Sequence, residues 1–232
     1  ETGHLAYYDN HLVDDADWYY VDVNEDGKLQ IQCSNNFGVD IVFGLYDGDG
    51  VNQLTTIVLK SNTTGTLVKE GLAPGKYFLI VAPLSYSPSV YTVSSGLIEA
   101  TPANDIEPND NIDQASVLKT NELNTGHLGF TYLKAGNAVD WLKITITKTS
   151  TLNYTLQNNS GYPVYLDFYD EDSVTKLETI TSSNGNSSNL VKYALAPGTY
   201  FFKIYCDLSV WATYTFSNAS SEISFYNTYL NE

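Results

Sequence analysis

Two short stretches of the chain are dense in oxygen-bearing side chains. Residues 105–110 read Asp-Ile-Glu-Pro-Asn-Asp, and residues 137–140 read Asn-Ala-Val-Asp. Calcium takes about six to eight oxygen ligands from carboxylates, amides and carbonyls, so two such loops brought together can supply a site. The proline stiffens the first loop and lowers the entropy that is lost when it becomes ordered. The competing interpretation is a pair of solvated acidic loops with an Asx turn, and composition alone favours it.

Aromatic residues are the second group that could bind a ligand, because the chain contains 19 Tyr, 9 Phe and 3 Trp. Tyrosine and tryptophan offer a large contact area with a polar end, which suits ligand contact and stacking on sugars. Five of them lie in or beside the last strands expected in the two halves of the chain, and we take them as candidate ligand-binding residues: Tyr86, Tyr91, Tyr205, Trp211 and Tyr214. The alternative is ordinary packing, since β-sheets favour aromatic residues.

Charge and motifs exclude several classes of function. The formal net charge is -16, with 11 basic against 27 acidic residues, so the surface repels phosphate backbones and anionic membranes and suits divalent cations. No apolar run of about 18 residues is present, and neither a His-Glu-x-x-His nor a Gly-x-Ser-x-Gly motif occurs. Cys33 and Cys206 are expected to be buried free thiols, with a disulfide between them as the alternative. His4 and His127 are expected to be structural, and we predict no enzymatic activity.

An internal repeat at a constant offset of 123 residues predicts the architecture. Asp17-Trp18 recurs as Asp140-Trp141, and Leu72-Ala73-Pro74-Gly75 recurs as Leu195-Ala196-Pro197-Gly198. Short alternating strands separated by turn residues predict an all-β chain of two tandem antiparallel β-sandwich domains over residues 1–100 and 101–232. A proline-containing linker at residues 100–104 marks the boundary. The repeated Trp18 and Trp141 are expected to anchor the two cores.

The order of motifs in the second half resembles a known family. Glu107-Pro108-Asn109-Asp110, then Asp140-Trp141, then Tyr169-Asp170, then Pro197-Gly198-Thr199-Tyr200 resembles the bacterial pre-peptidase C-terminal domain, which is similar to the collagen-binding domains of clostridial collagenases. The resemblance implies a jelly-roll-like sandwich, attached without catalytic activity to secreted peptidases and surface proteins, and a calcium site in some members.

The resemblance also implies a ligand set for calcium in the second half. The candidate metal ligands carried over are Glu107, Asn109, Asp110, Asn137 and Asp140. Asn137 stands where the family more often has Asp, which lowers the charge of the site. The first half has a richer acidic loop at Asp14, Asp15 and Asp17, but it has no Glu-Pro-Asn-Asp partner in this sequence, so a complete site is not expected there.

We therefore expect a secreted or cell-surface binding or adhesion module that is stabilised by calcium. Its partner is an extracellular protein or glycan, together with a peptidase domain or further repeats in the same polypeptide; neither nucleic acid binding nor membrane insertion is expected. The alternatives are a prodomain-like or substrate-targeting appendage of a secreted peptidase, and a carbohydrate-binding module.

Overall fold

The computed structural model describes residues 1–9, 12–13, 15–99, 105–133, 135–207 and 210–223. The chain divides into two compact units: unit 1 is Glu1–Thr101 with Phe130–Gly136, and unit 2 is Pro102–Gly129 with Asn137–Glu232. The expected linker at residues 100–104 lies outside the described residues. Within the described part, the only helical segment is a 3-10 turn at Ile112–Gln114, and no helix is long and apolar enough to cross a membrane.

Most of the described residues are in strands, as the alternating pattern predicts. In the first hundred residues the strands are β1 Thr2–Leu5, β2 Tyr8–Asp9, β3 Leu12–Val13, β4 Asp17–Val23, β5 Gly27–Phe37, β6 Ile41–Tyr46, β7 Gln53–Leu59, β8 Thr63–Leu72, β9 Gly75–Pro83 and β10 Ser89–Glu99. The others are β11 Ser116–Val117, β12 Leu123–Leu128, β13 Phe130–Tyr132, β14 Ala135–Asn137, β15 Val139–Ile146, β16 Ser150–Asn158, β17 Val164–Tyr169, β18 Lys176–Ser182, β19 Ser187–Leu195, β20 Gly198–Tyr205 and β21 Ala212–Glu222.

Each unit is built from two main sheets. In unit 1 one sheet has the order β1-β10-β5-β8-β13-β14 and the other β4-β9-β6-β7, beside a small β2-β3 hairpin. In unit 2 the orders are β12-β21-β16-β19 and β11-β15-β20-β17-β18. Among the strand pairs whose register the structure describes, all are antiparallel except β13 with β8 and β11 with β15. The expected all-β fold of antiparallel, sandwich-like sheets is confirmed.

The cores follow from strand alternation, because successive side chains point to opposite faces of a sheet. In unit 2 the aromatic rings of Tyr154, Phe168, Phe202 and Phe216 pack with centroids 5.0–6.1 Å apart. Burying such rings removes a large apolar area from water, which is the main stabilising term for a sandwich. Cys33 and Cys206 are buried free thiols, as expected, and burial raises the pKa of each to about 11.

Each unit has one strand with an Asp-Trp pair, and in neither unit does the tryptophan lie in the core as expected. In β15, Asp140 is fully buried and Trp141 is only half-buried, while in β4 Trp18 is 51% exposed. The prediction that Trp18 and Trp141 anchor the cores is therefore wrong. Alternation permits only one of two neighbours to face inward, and the aspartate takes that place because buried groups donate hydrogen bonds to it.

Candidate functional site

A cluster of polar side chains surrounds the buried Asp140 of unit 2. Strand β15 turns Asp140 inward, and the segment before the 3-10 turn runs beside it, held by the Trp141 N–H, which donates to the Asn109 carbonyl at 2.8 Å. Asn109 is fully buried. One polar atom of its amide lies 3.2 Å from Glu107 Oε2 and 3.1 Å from Asp140 Oδ1. Three of the five predicted metal ligands, Glu107, Asn109 and Asp140, therefore lie together.

The orientation of the Asn109 amide is informative about the chemistry of the cluster. With its nitrogen toward the two carboxylates, Asn109 donates a hydrogen bond to each and satisfies them. The amide also carries an oxygen, which could face the same place as a ligand if a cation lay between Asn109 and the two carboxylates. The same side chain can therefore satisfy the cluster without metal and supply a ligand when metal is bound.

Asp105 and His127 extend the cluster, although the sequence analysis assigned neither of them to it. Asp105 Oδ2 accepts a hydrogen bond from the His127 backbone N–H at 3.1 Å and contacts the ring Nδ1. Both side chains are almost completely buried. Ligand atoms of Asp105, Glu107 and His127 lie within 4.8 Å of one another, a spacing that can hold a metal ion. Asp105 and Glu107 are two residues apart in the segment before the 3-10 turn, and His127 lies in strand β12.

The electrostatics of the cluster favour a cation. Burial raises the pKa of Glu107, and the negative charges of Asp105 and Asp110 raise it further. The Asn109 N–H, which donates to Glu107 Oε2 at 3.0 Å, and the nearby His127 act in the opposite direction. Carboxylates that crowd one another in a partly buried place resist ionisation unless positive charge compensates them. A divalent cation would supply that charge.

The remaining predicted metal ligands are placed differently. Asp110 is exposed, and its influence on the cluster is the charge that acts on Glu107. The side chain of Asn137 lies outside the described part of the structure. In unit 1, Asp14 also lies outside it and Asp15 is exposed, while Asp17 accepts a hydrogen bond from Tyr91.

Two of the five aromatic candidates are buried, so they do not form a ligand surface. Tyr91 is 0% exposed and Tyr214 is 2% exposed. The hydroxyl of Tyr214 donates to Asp140 Oδ2 at 2.7 Å, and Tyr91 contacts Asp17 in the same way. The ligand-binding prediction is corrected for both residues, because each strand turns its tyrosine inward, where the hydroxyl donates to the buried Asp140 in unit 2 and to the half-buried Asp17 in unit 1. Burial, followed by the Asp140 charge, raises the pKa of Tyr214, so its hydroxyl stays a donor.

The other three candidates are accessible. Tyr86 is 83% exposed in unit 1. Trp211 is half-buried against Tyr162, with ring centroids 6.4 Å apart. Tyr205 is half-buried and stacks on Tyr165, with centroids 5.2 Å apart and an interplanar angle of 24°.

Tyr205 belongs to a larger group that we call the outer aromatic face. Its members lie on the solvent side of three neighbouring strands of unit 2 and are each half-buried: Trp141, Tyr165, Tyr169, Lys203 and Tyr205. Trp141 packs on Tyr169 at 5.4 Å. The Lys203 ammonium lies 5.9 Å from the Trp141 ring and 5.1 Å from the Tyr205 ring, within reach of cation–π attraction.

Unit 1 lacks most of this face. Trp18 packs on Tyr46 at 5.6 Å, as Trp141 packs on Tyr169. The positions 123 residues before Tyr165, Lys203 and Tyr205 carry Val42, Ile80 and Ala82. The sequence analysis found only Tyr205 of the outer aromatic face. Its other members could have been found from the pattern, since Tyr165 and Tyr169 alternate with the buried Leu166 and Phe168.

Comparison with known proteins shows that the chain is similar in sequence to a collagenase. No family model matches the chain. The chain is 27% identical over 203 residues to Collagenase ColA of Clostridium perfringens (strain 13 / Type A), an alignment that covers 83% of this chain and 18% of that protein. The chain thus spans less than a fifth of the length of this curated relative. The similarity supports the resemblance drawn from the sequence motifs, whereas the presence of two copies of the family domain stays a prediction.

Solved structures align less closely. The pre-peptidase C-terminal domain of a Bacillus anthracis collagenase aligns with 16% identity and a TM-score of 0.37, covering 45% of this chain and 93% of that domain. A tandem CBM22 domain from Paenibacillus barcinonensis aligns with 11% identity and a TM-score of 0.28, covering 87% of this chain and 81% of that chain. Both TM-scores are too low to support a structural argument.

Proposed function

We propose that the chain is a non-catalytic extracellular binding module whose ligand contacts the outer aromatic face of unit 2. The observation that carries the proposal is the group of half-buried rings with a lysine between them. Such a surface combines apolar contact area with hydrogen-bonding ends, as binding hot spots do. The similarity to a collagenase favours collagen, or another extracellular protein of extended shape, as the ligand.

Binding to collagen fibrils tests this assignment. We expect W141A combined with Y205A to weaken cosedimentation with fibrils by roughly tenfold or more, because truncating aromatic hot spots costs at least about 2 kcal/mol. The matched control is W18A, which removes the equivalent ring of unit 1. Equal binding by the wild type and the double variant would contradict the proposal.

We also propose that calcium stabilises unit 2 through Glu107, Asn109, Asp110, Asn137 and Asp140, with Asp105 beside them. The donors fit a hard cation, since most are carboxylate or amide oxygens, and the neighbouring negative charges of Asp105 and Asp110 raise the pKa of Glu107, which a bound cation would oppose. Calcium bound there would tie the segment at residues 105–110 to strand β15. His127 is the one donor that prefers softer metals, so zinc is the competitor to be tested.

Calorimetric titration with calcium tests the metal site. We expect one site per chain whose affinity falls by roughly tenfold or more in E107Q, because one ligand charge is lost. D113N is the matched control, since it removes the same charge from the nearby exposed 3-10 turn. No heat with calcium, or clearly tighter binding of zinc, would contradict the calcium assignment.

Two alternatives to this proposal also describe a non-catalytic module, but each gives it a different partner. The collagenase similarity also suits an appendage of a secreted peptidase, either removed on maturation or used to target the substrate. The stacked Tyr165 and Tyr205 rings suit a carbohydrate, because sugars stack on flat aromatic faces. A glycan array, run with W141A combined with Y205A as the negative control, separates the carbohydrate alternative from binding to fibrils.

A further inference from the structure

Unit 1 contains a pocket filled by one tyrosine of the segment 130–136. We call it the tyrosine seat and define it by Asp47, Gly48, Ala73, Gly75 and Tyr77. The Tyr132 ring packs edge-on against Tyr77, with centroids 5.4 Å apart. A β-carbon on Gly75 would lie 2.3 Å from the Tyr132 ring, and one on Gly48 would lie 2.2 Å from the Tyr132 hydroxyl. Both glycines are therefore needed for the ring to fit.

Backbone hydrogen bonds hold the same segment in the seat. The Ala73 N–H and the Tyr77 hydroxyl donate to the Thr131 carbonyl at 3.2 and 3.1 Å. The Leu133 N–H donates to Asp47 Oδ1 at 3.1 Å. Strand β13 thereby adds in parallel to the edge strand β8, with Thr131 opposite Leu72.

Unit 2 contains the same seat at an offset of 123 residues: Asp170, Glu171, Ala196, Gly198 and Tyr200. Its internal hydrogen bonds match those of unit 1. The Tyr200 hydroxyl donates to the Ala196 carbonyl at 3.0 Å, as Tyr77 does to Ala73 at 2.7 Å. The Glu171 N–H donates to Asp170 Oδ1 at 2.8 Å, as Gly48 does to Asp47.

The tyrosine seat of unit 1 is covered by the segment that carries Tyr132, whereas the equivalent seat of unit 2 is exposed. Leu72 is buried and its equivalent Leu195 is only half-buried. Asp47 is buried and Asp170 is half-buried, while Ala73 is half-buried and Ala196 is exposed. Among the described residues, β19 pairs with β16 alone, whereas β8 pairs with both β5 and β13. Strand β19 therefore offers an edge with unpaired backbone groups, the kind of edge that accepts an added strand.

Gly198 gives an independent reason to assign a ligand to this edge. A β-carbon at Gly198 would meet within 3.4 Å only the end of the flexible Glu171 side chain, and the backbone of Gly198 is not left-handed. Neither the packing nor the backbone of unit 2 thus requires glycine at this position. In unit 1 the equivalent Gly75 is required by the Tyr132 ring, so a seated ring accounts for glycine at both places.

We propose that the exposed seat of unit 2 binds a hairpin of the type of residues 130–136, carried by a further repeat of the same kind. Its tyrosine would lie over Gly198 and Tyr200, and its first strand would add to the edge of β19. Glu171 stands at the position equivalent to Gly48 and is exposed. Its side chain would move away from Gly198, and its carboxylate would accept a hydrogen bond from the tyrosine hydroxyl. The hairpin formed by β2 and β3 is a poorer occupant, because it carries Asp9 at the position of Tyr132.

A peptide of residues 128–138 added to the whole chain tests the proposal. We expect it to slow hydrogen exchange of the amides at residues 194–196, and G198A to weaken this binding by tenfold or more. G198A should leave the melting temperature unchanged, because its new methyl group meets only Glu171. The controls are G161A, whose β-carbon meets nothing within 4 Å, and the peptide with Y132A.

Two results would overturn the proposal. One is the absence of protection at residues 194–196 at millimolar peptide. The other is equal protection in the wild type and in a folded G198A chain. Neither result depends on calcium or on the outer aromatic face, so failure here is distinguishable from failure of the proposed function.

Discussion

A buried carboxylate is the residue on which the architecture of unit 2 depends most directly. Asp140 is fully buried, and the Tyr214 hydroxyl donates to it at 2.7 Å. An ionised group in a core is tolerated only when hydrogen bonds replace its lost water. Removing one donor from such a group leaves part of the desolvation cost uncompensated.

We therefore expect Y214F to lower the free energy of unfolding by about 1–3 kcal/mol, the usual cost of depriving a buried polar group of a partner. Urea unfolding of the two chains in the presence of a chelator measures the difference without a contribution from bound metal. An unchanged unfolding midpoint would show that Asp140 does not depend on this hydroxyl.

Tyr154 is buried as deeply as Tyr214, but we expect the loss of its hydroxyl to have the opposite effect on stability. It is 1% exposed, and its hydroxyl has no hydrogen-bond partner among the residues that the structure describes. Burying an unpaired hydroxyl costs free energy, so Y154F should leave stability unchanged or raise it by up to about 1 kcal/mol. The same urea experiment measures it, and a clear loss of stability would mean that the hydroxyl contributes favourably.

At the residue scale, the residues at the centre of the site could be predicted from the sequence, but their neighbours Asp105 and His127 could not. Glu107, Asn109 and Asp140 were found because the motif in which they occur resembles a family with a known type of site. Asp105 and His127 were missed because a repeated histidine suggests a structural role and carries no mark of its tertiary partner. The Asp-Trp pair was interpreted the wrong way round, because hydrophobicity alone places tryptophan inside; only the inward donors Asn109 and Tyr214 reverse that choice.

At the scale of elements, strand β12 lies directly over a buried ring. A β-carbon on Gly126 would lie 2.3 Å from the ring and hydroxyl of Tyr214. That ring is fixed by the core around it and by Asp140, so it cannot move aside. We expect G126A to cost about 1–3 kcal/mol, the typical penalty of overpacking. Thermal melting measures it, with G161A as the control that meets no neighbour.

The strands that the sequence predicted are those whose apolar residues alternate with polar ones, such as β5 and β16. Strands β8, β12 and β19 are rich in Ser, Thr, Asn and Gly, so the alternation that predicts a strand is weak in them. The short β13 and β14 could not be predicted at all. Their position depends on a seat formed by residues more than fifty positions earlier, which local pattern does not encode.

At the scale of the whole molecule, the proposed calcium site distinguishes the two units. Unit 2 has the segment 105–110 beside Asp140, whereas the sequence in hand offers Asp17 no such segment in unit 1. A ligand that binds only the folded form raises stability by RT ln(1 + [L]/Kd), which is about 2.7 kcal/mol at a hundredfold excess over Kd. The net charge of -16 adds to this effect, because a bound cation reduces self-repulsion.

Calcium should therefore raise the thermal transition that belongs to unit 2 and leave that of unit 1 almost unchanged. Differential scanning calorimetry with calcium and with a chelator measures both transitions, and G126A, which is expected to destabilise unit 2, identifies the transition of that unit. E107Q should reduce the calcium shift, while D113N should keep it. Equal shifts of both transitions, or an undiminished shift in E107Q, would mean that the negative surface as a whole binds the cation and that the cluster around Asn109 is not a specific site.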